Sequence, residues 1–376
     1  MNKYQILFFV LFFVCSCNST TVTQLTSEHE INFDALPTID FFSADIFSQI
    51  EYLPLETTED CLLSDALRLK MLDNDFYILD YKAHHKVFRF SSAGQFLNTI
   101  GQRGKGPHEY THVMDFAIDT EDKSIDLLIE PQSKIFRYHT DGSWVGEINT
   151  NIPAQSFAKM KGCYVLNISY SNYFSKERLY KIDEQGQIIT KFHPITTKLV
   201  SLTEPNFFQT DTSIIFHESF SNIVYEVSSG EAHPLYQFDF GEYDIPSTIH
   251  EMESLKALDL LNQRGMRTIL RFCENKKFAH FAIQQQQEQH ALIYNYLFIN
   301  KENGHCVILQ VSSENSDFAA FGHVAMITEN DELVFLVHPY NLVDLIEKYS
   351  FFKGNISTSI NEDMNPFIAK IKLKPF

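Results

Sequence analysis

The sequence predicts an all-β fold, a six-bladed β-propeller of four-stranded blades with one short helical insertion. Two segments, residues 86–100 and 134–148, align without a gap at an offset of 48 residues. Related strand–turn–strand units recur further along the chain, and a helical pattern interrupts them once. Repeats of about 40–50 residues with several strands each are typical of propeller blades.

The repeated unit reads as a strand, a turn that contains glycine and a second strand, which is the pattern of a β-hairpin. Gly94, Gly142, Gly186 and Gly230 follow one another at intervals of 48, 44 and 44 residues. Gly304 follows Gly230 only after 74 residues, a surplus of 30 over the preceding interval. The surplus requires an insertion between the two units.

Further strands complete the blades. Residues 115–119 and 125–129 precede the second hairpin and bring that repeat to four strands, while residues 333–338 and 367–373 supply a sixth unit. A ring must close so that no strand edge stays open. We therefore expect residues near 50–55 to pair with the C-terminal strand.

The insertion, at about residues 247–264, is predicted to form one amphipathic helix. Thr248 and Glu251 make a capping-box pattern, and apolar residues then recur at helical spacing up to Gly265. The helix either covers one face of the ring as a lid or shields a hydrophobic patch, the commoner role of an apolar stripe. Residues 341–350 predict a second short helix.

The N-terminus has the features of a lipoprotein signal peptide. Lys3 precedes an apolar run at residues 6–14, nine residues that are too few to span a bilayer as a helix. A small residue stands directly before Cys17, which resembles the lipobox of bacterial lipoproteins. Cys17 is the predicted lipidation site, and Cys15, which follows the bulky Val14, is the weaker candidate.

This pattern divides the chain into a signal peptide at residues 1–16, a lipidated tether at residues 17–44 and a propeller at residues 45–376. The expected location is the cell envelope, with the lipid anchor in the outer membrane. No acidic cluster follows Cys17, and the surface-export signal of Bacteroidetes lipoproteins resembles such a cluster. A periplasm-facing anchor is therefore favoured, and surface exposure remains open.

Composition and charge restrict the partners. A hydrophobic share of 44% excludes general disorder. The net charge of −18 disfavours nucleic acid and anionic lipid surfaces, because such binding depends on basic residues. Membrane contact would come from the N-terminal lipid only. The four cysteines beyond the leader match no metal-binding spacing, and we interpret them as small buried hydrophobic residues.

Four segments together resemble the six-bladed β-propeller lipoproteins of gut Bacteroidetes, an NHL-like group: residues 53–58, the hairpin that ends at Ile100, the loop at residues 101–110 and the tail at residues 365–373. The resemblance spans about residues 45–376 and is tightest in the loop, where the family pattern reads Gly-x-x-Gly-x-Gly-Pro-x-Glu-Tyr. This chain has His108 where another glycine is common. The resemblance implies the fold and export as a lipoprotein, but no agreed activity.

The glycine loop contains the candidate ligand-binding residues Arg103, Lys105, His108, Glu109 and Tyr110. A local Arg/Lys pair in an acidic protein suggests a site for an anion or a sugar acid at the mouth of the central channel. The alternative is structural, an ion pair from Arg103 to Glu109 that holds the loop in place.

The same loop contains a literal H-E-x-x-H sequence, His108 to His112. In zinc peptidases this pattern places two histidine ligands on one face of a helix, with the glutamate as general base. Here glycines and a proline precede it and a strand pattern follows it. A zinc metallopeptidase is therefore only a remote alternative, and we predict no metal and no cofactor.

Two function classes remain open. The first is a binding or scaffolding module for a glycan, a peptide or a partner protein. The second is a polysaccharide lyase or hydrolase whose catalytic side chains converge on the axial channel from several blades. The sequence favours the first, because it shows no nucleophile motif and no metal-binding set.

Overall fold

The strands form six blades of four strands, as predicted, and in five of the blades the four strands are neighbours in the order of the chain. The sixth blade takes its outermost strand from residues 47–54. The computed structural model describes residues 23–24, 30–40, 45–130, 132–168, 175–196, 205–209, 213–228, 230–287, 292–311, 321–356 and 359–376. The predicted signal peptide and Cys17 lie outside these residues.

The blades are numbered in chain order, and the strands of each blade are given from the innermost to the outermost. Blades 1 to 3 comprise Leu67–Leu72, Asp75–Asp80, Lys86–Phe90 and Phe96–Ile100; His112–Asp119, Ser124–Glu130, Lys134–His139 and Trp144–Asn149; and Ser156–Met160, Cys163–Asn167, Glu177–Asp183 and Ile188–Pro194. Blades 4 to 6 comprise Phe207–Gln209, Ile214–His217, Ile223–Ser228 and Glu231–Asp239; Met266–Glu274, Phe278–Gln286, Leu292–Asn300 and His305–Val311; and Met326–Ile327, Glu332–Val337, Phe367–Leu373 and Phe47–Pro54.

Blade 6 closes the ring with strands that are distant in sequence. Phe47–Pro54 pairs antiparallel with Phe367–Leu373, and residues 367 and 373 lie opposite residues 54 and 47. The predicted pairing of residues near 50–55 with the C-terminal strand is confirmed. The pairing leaves no open blade in the ring.

Asn365 stabilises the ring closure by hydrogen bonds to the segment that follows the closing strand Phe47–Pro54. Its amide nitrogen donates to the carbonyl oxygens of Glu56 at 2.7 Å and Cys61 at 2.8 Å. Its amide oxygen accepts from the backbone N–H of Leu63 at 2.8 Å, and its own backbone N–H donates to Thr57 Oγ1 at 2.8 Å. One buried side chain thus satisfies three backbone groups of the segment that follows the closing strand.

Short strands near the N-terminus extend two blades at their outer edges. Glu30–Asn32 lies parallel to the outer strand of blade 4. Thr38–Asp40, parallel, and Thr23–Gln24, antiparallel, both pair with the outer strand of blade 5, and a 3-10 turn at Phe33–Ala35 lies between the two blades. The range expected to be a tether therefore includes a packed segment, residues 30–40.

A hydrophobic cluster fills each of the six interfaces between neighbouring blades. The second strand of blade 1 shows how the sequence achieves this. Phe76 and Ile78 pack towards blade 6, whereas Tyr77 and Leu79 pack towards blade 2. Because side chains alternate along a strand, a continuous apolar run serves both interfaces, and each fully buried side chain contributes roughly 1.5–3 kcal/mol.

The turns that define the repeat require glycine for two structural reasons. All five have positive φ, from +73° at Gly304 to +97° at Gly230. A Cβ atom at Gly142 would also lie 2.5 Å from the carbonyl oxygen of Thr99, in the outer strand of the preceding blade. Glycine is required both by the left-handed backbone and by the close approach of two blades.

Two helices are fully within the residues that the structure describes, and no helix among these residues is long and apolar enough to cross a bilayer. Helix α1, Ser254–Arg264, follows 3-10 turns at Gly241–Tyr243 and Ser247–Glu251 between blades 4 and 5. Helix α2, Pro339–Lys348, is followed by a 3-10 turn at Ser350–Lys353 and lies within blade 6, where a second helix was predicted.

The predicted start of α1 is wrong. Thr248 lies in the preceding 3-10 turn, which the fully buried Ile249 anchors, so the helix begins only at Ser254. Its apolar face is also narrower than predicted, because the side chain of Leu255 is 78% exposed. The buried residues Ala257 and Leu261 pack locally with Ile249. No residue of α1 borders the axial cavity described below.

Candidate functional site

A cavity of about 1440 Å³ lies along the axis of the ring, bordered by residues of blades 1, 2, 4, 5 and 6, mainly from their innermost strands and the loops at the ends of those strands. Six Lys/Arg and seven Asp/Glu side chains border it, so its charge is nearly balanced although the whole chain carries −18. Typical small-molecule sites measure about 300–1,000 Å³. The cavity therefore has room for an extended ligand.

The wall formed by blades 1 and 2 is cationic, and we call Arg68 and Lys70 the cationic wall. Arg68 Nη1 donates to the carbonyl oxygen of Met114 at 3.1 Å and to Asp115 Oδ1 at 3.3 Å. Lys70 Nζ donates to the carbonyl oxygen of Phe116 at 2.5 Å. The innermost strand of blade 2 has no further strand to pair with, and these two cations satisfy its carbonyl groups.

Charge in this wall is only partly balanced. Burial lowers the pKa of Lys70, and the positive charge of Arg68 lowers it further, while Asp115 opposes both. Both carboxylate oxygens of Asp115 already accept hydrogen bonds, Oδ1 from Arg68 and Oδ2 from the backbone N–H of Phe157 at 3.2 Å. Asp115 therefore acts as a fixed counter-ion, and its oxygens are not available as a general base.

The wall on the far side, between blades 4 and 5, is aromatic, and we call Phe207, Phe208 and Phe272 the aromatic wall. All three are partly exposed and border the cavity, and the rings of Phe208 and Phe272 meet edge to face at 5.9 Å. The innermost strand of blade 4 has only three residues. Because it is short, Ile215 and Tyr236 from strands further out also reach the cavity.

Two histidines lie towards blades 5 and 6, the half-buried His323 and the fully buried His280. Burial lowers the pKa of His323, which borders the cavity, to about 4, and the charge of Arg271 adds to this. Behind it, burial lowers the pKa of His280 to about 3, although its Nδ1–H donates to the carbonyl oxygen of Leu297 at 3.1 Å. Both imidazoles are therefore neutral near pH 7.

The glycine loop is held by its own motif residues. Glu109 Oε2 accepts from the backbone N–H of Gly106 at 2.6 Å, and a Cβ atom at Gly104 would lie 2.0 Å from the same oxygen. The fully buried Tyr110 donates its hydroxyl to the carbonyl oxygen of Ile100 at 2.9 Å. The family pattern therefore has a structural explanation, in which glycines make room for a carboxylate that binds the turn.

The remaining predicted residues of this loop lie at its surface. Arg103 and Lys105 are exposed, and His108 has a φ of +62° with its ring 4.3 Å from that of Trp144. In the described part of the chain, Arg103 and Glu109 form no ion pair, and none of the five predicted residues borders the axial cavity. Ligand binding by this loop therefore stays a prediction that is separate from the cavity.

The H-E-x-x-H sequence does not form a zinc site. Glu109–Tyr110 and His112–Asp119 are strands, so the helix that this pattern requires is missing. The ring of His108 contacts Trp144, whereas the ring of His112 lies 4.4 Å from that of His85. The two histidines have different neighbours, and the metallopeptidase alternative fails on this geometry. Across the described ranges, no three or more His, Cys, Asp or Glu side chains form a possible metal site.

The cysteines that the structure describes, Cys61, Cys163, Cys273 and Cys306, are all buried and unpaired. Burial raises the pKa of Cys273 and Cys306 and so disfavours their reactive thiolates. The interpretation of these residues as small buried hydrophobic side chains agrees with their positions.

Sequence reasoning missed a buried charge cluster between blades 3 and 4. Glu218 contacts Arg178 Nη1 at 2.9 Å and His193 Nε2 at 3.2 Å. Burial opposes ionisation of Glu218, but the hydrogen bond from His193 and the charge of Arg178 hold its pKa below the usual value. These residues come from separate strands and loops, so no local sequence motif could have identified the cluster. They do not border the axial cavity.

Comparisons with known proteins agree with this architecture. The sequence profile of a domain family of unknown function, DUF4934, matches residues 32–372. A Bacteroides fragilis protein that is described as exported has a similar structure, with a TM-score of 0.71, 19% identity and coverage of 92% of this chain and 99% of its own. A DUF4221 family member from Bacteroides vulgatus is similar with a TM-score of 0.53 and 9% identity, and the match covers 88% of this chain and 97% of its own. These likenesses show the fold. No curated protein matches the chain.

Proposed function

We propose that this chain, which belongs to the DUF4934 family, is an exported, lipid-anchored propeller that binds a ligand in its axial cavity. The observation that carries the proposal is the cavity of about 1440 Å³ with walls of different chemistry. The candidate ligands are a glycan, a peptide or a segment of a partner protein. Such a site uses the rigid ring as a scaffold for recognition.

Pairing among the charged residues of the cavity favours recognition over catalysis. Asp115 is bonded to Arg68, and Lys277 lies 3.1 Å from Asp331. Charged groups that are already paired give shape and polarity to a binding site, whereas a general base needs a free lone pair directed at its substrate.

The binding test uses a plug in the cavity. The exposed Gln209 borders the cavity, so Gln209→Trp should block it, and the same substitution at Gln187, an exposed turn residue of blade 3, is the matched control. Glycan and peptide libraries are screened by thermal shift, and hits are measured by calorimetry. A hit should bind the parent and Q187W but not Q209W. Equal binding to all three would place the ligand elsewhere.

Export and anchoring rest on the leader and on Cys17. The description of the Bacteroides fragilis relative as exported is consistent with them. In a bacterial host, Cys17→Ala should abolish incorporation of labelled fatty acid and retention in the outer membrane, while Cys15→Ala should retain both. Labelling that persists in C17A would contradict the assignment. Protease treatment of intact cells then distinguishes a periplasmic anchor from a surface-exposed one.

The second candidate is a polysaccharide lyase or hydrolase, which one observation favours. His323 borders the deep cavity, and its Nδ1 is buried without a hydrogen-bond partner among the described residues. A neutral imidazole with an unbonded nitrogen can accept a proton, and with a pKa of about 4 this one would be a weaker general base than an ordinary histidine. Binding hits should therefore be incubated with the protein and analysed for products. Product that disappears in His323→Gln supports the enzyme, and binding without product excludes it for those ligands.

A further inference from the structure

The cationic wall and the aromatic wall face each other across the axis. In a ring of six blades, blade 1 lies opposite blade 4 and blade 2 lies opposite blade 5. Arg68 and Lys70 are on the innermost strand of blade 1, and Phe207 and Phe208 are on that of blade 4. All four side chains border the same cavity. One ligand that spans the axis would therefore contact both chemistries.

The cationic wall has hydrogen-bond donors to spare. Arg68 uses only Nη1 in its bonds to Met114 and Asp115, and Lys70 uses one N–H, to Phe116. A guanidinium carries five N–H groups and an ammonium three. The two cationic groups also lie over aromatic rings, Arg68 4.8 Å from the ring centre of Tyr81 and Lys70 5.0 Å from that of Phe116. Among the described residues no other hydrogen-bond acceptor contacts them, so the remaining N–H groups can donate to a group within the cavity.

The wall also has excess positive charge. Asp115 is the acidic partner of Arg68 and, as described above, has both oxygens occupied. Two cations thus share one engaged carboxylate. An anion bound beside Lys70 would favour its protonated form, which burial and the charge of Arg68 disfavour in the free protein.

The aromatic wall is suited to binding an apolar part of a ligand. Phe207, Phe208 and Phe272 remain partly exposed although each already contacts another aromatic ring. Covering this surface would contribute roughly 25 cal/mol for each Å² removed from water. The apolar surface lies across the axis from the charged donors, so the two ends of the site require different groups.

We propose that the cavity binds an elongated anion, a carboxylate that carries an aromatic or aliphatic group, with the carboxylate at Arg68 and Lys70 and the apolar group at Phe207, Phe208 and Phe272. This inference rests on the proposed function and narrows its ligand class. A free aryl-alkyl acid and a peptide that ends in a hydrophobic residue share this chemistry.

The test compares charged and neutral forms of the same probes by calorimetry. The probes are phenylbutyrate, its uncharged primary amide, an acetylated dipeptide ending in phenylalanine with a free carboxylate, and the same dipeptide as a C-terminal amide. Lys70→Gln removes the charge but keeps an N–H for Phe116, and Phe208→Leu reduces the aromatic wall. Lys134→Gln, which removes an equally cationic side chain paired with Glu147 away from the cavity, is the control.

At least one of the two acids should bind at least tenfold more tightly than its amide. K70Q should weaken that acid about tenfold, equivalent to about 1.4 kcal/mol, and leave the amide unchanged. F208L should weaken both forms, and K134Q neither. The acid that binds more tightly identifies the source of the ligand.

Equal affinity of acid and amide, or loss of binding in K134Q as strongly as in K70Q, would overturn the inference. So would the absence of binding by all four probes. A neutral glycan or peptide that binds the parent but not Q209W would support the proposed binding function and contradict the proposal that the ligand is an anion. The two proposals therefore fail separately.

Discussion

Because Gly104 and Glu109 are in close contact, the effect of Gly104→Ala on stability should depend on whether the Glu109 carboxylate is present. A Cβ atom at position 104 would lie 2.0 Å from Glu109 Oε2, and ordinary contact begins at 3.4 Å, so the carboxylate must retreat by about 1.4 Å. That movement breaks its 2.6 Å bond to the Gly106 N–H. We expect Gly104→Ala to destabilise the protein by about 1–3 kcal/mol.

Removal of the carboxylate reverses this expectation. Gly104 has no positive φ, so alanine fits its backbone once the space is open. In the Glu109→Ala background the same substitution should be neutral or stabilise by up to about 1 kcal/mol, because alanine reduces the entropy of the unfolded chain. The expected coupling between the two positions is therefore about 1–4 kcal/mol.

Urea unfolding of the four proteins, followed by circular dichroism, measures this cycle. Each variant should shift the midpoint without changing the slope with denaturant. The matched control is Gly146→Ala, because a Cβ atom there meets nothing within 4 Å. If Gly104→Ala were equally destabilising with and without Glu109, the carboxylate would not be what excludes a side chain at this position.

Three further predictions follow from buried polar groups. Asn365→Ala leaves backbone groups of Glu56, Cys61 and Leu63 unpaired and should cost about 3 kcal/mol in urea unfolding, whereas the exposed Asn361→Ala should cost little. The folded pKa of Glu218 is depressed, so its stabilisation is present above about pH 4.5 and is lost below it. Glu218→Gln should therefore flatten the acid side of a melting-temperature profile, and an unchanged profile would contradict the ion cluster. The folded pKa of His280 is lowered to about 3 from 6.5, so the unfolded chain binds the extra proton and stability falls as pH decreases between these values. His280→Asn should remove part of that slope, and a slope equal to the parent's would show that His280 is not buried as a neutral base.

The architecture was predictable because its signals are local and repeated. Gly94 and Gly142 mark hairpins that alternate with apolar strands, and their spacing alone gave the blade length. The structure adds the reason, since these glycines combine positive φ with close contact to the preceding blade. The start of α1 was missed because burial of Ile249 outweighs the local capping pattern.

The cavity was not predictable in the same way. Its walls come from strands that the ring brings together, and Arg68 and Phe208 stand 140 positions apart in the sequence. Each lies within an ordinary strand pattern, so nothing local marks it as a cavity residue. The glycine loop attracted attention because its charges are adjacent in sequence, yet Glu109 is turned inwards onto the backbone of its own turn.

The closure of blade 6 determines when folding can finish. Tyr52 lies opposite Ala369, a separation of 317 residues, so the closing strand has no partner until the chain has been made as far as residue 369. Pairings of such long range slow folding, because a large loop must close before any contact forms. A truncated product that ends before residue 367 keeps an unpaired, partly apolar strand edge. Such an open edge is the kind of feature that promotes aggregation and proteolysis, and it is covered once residues 367–373 have paired with it.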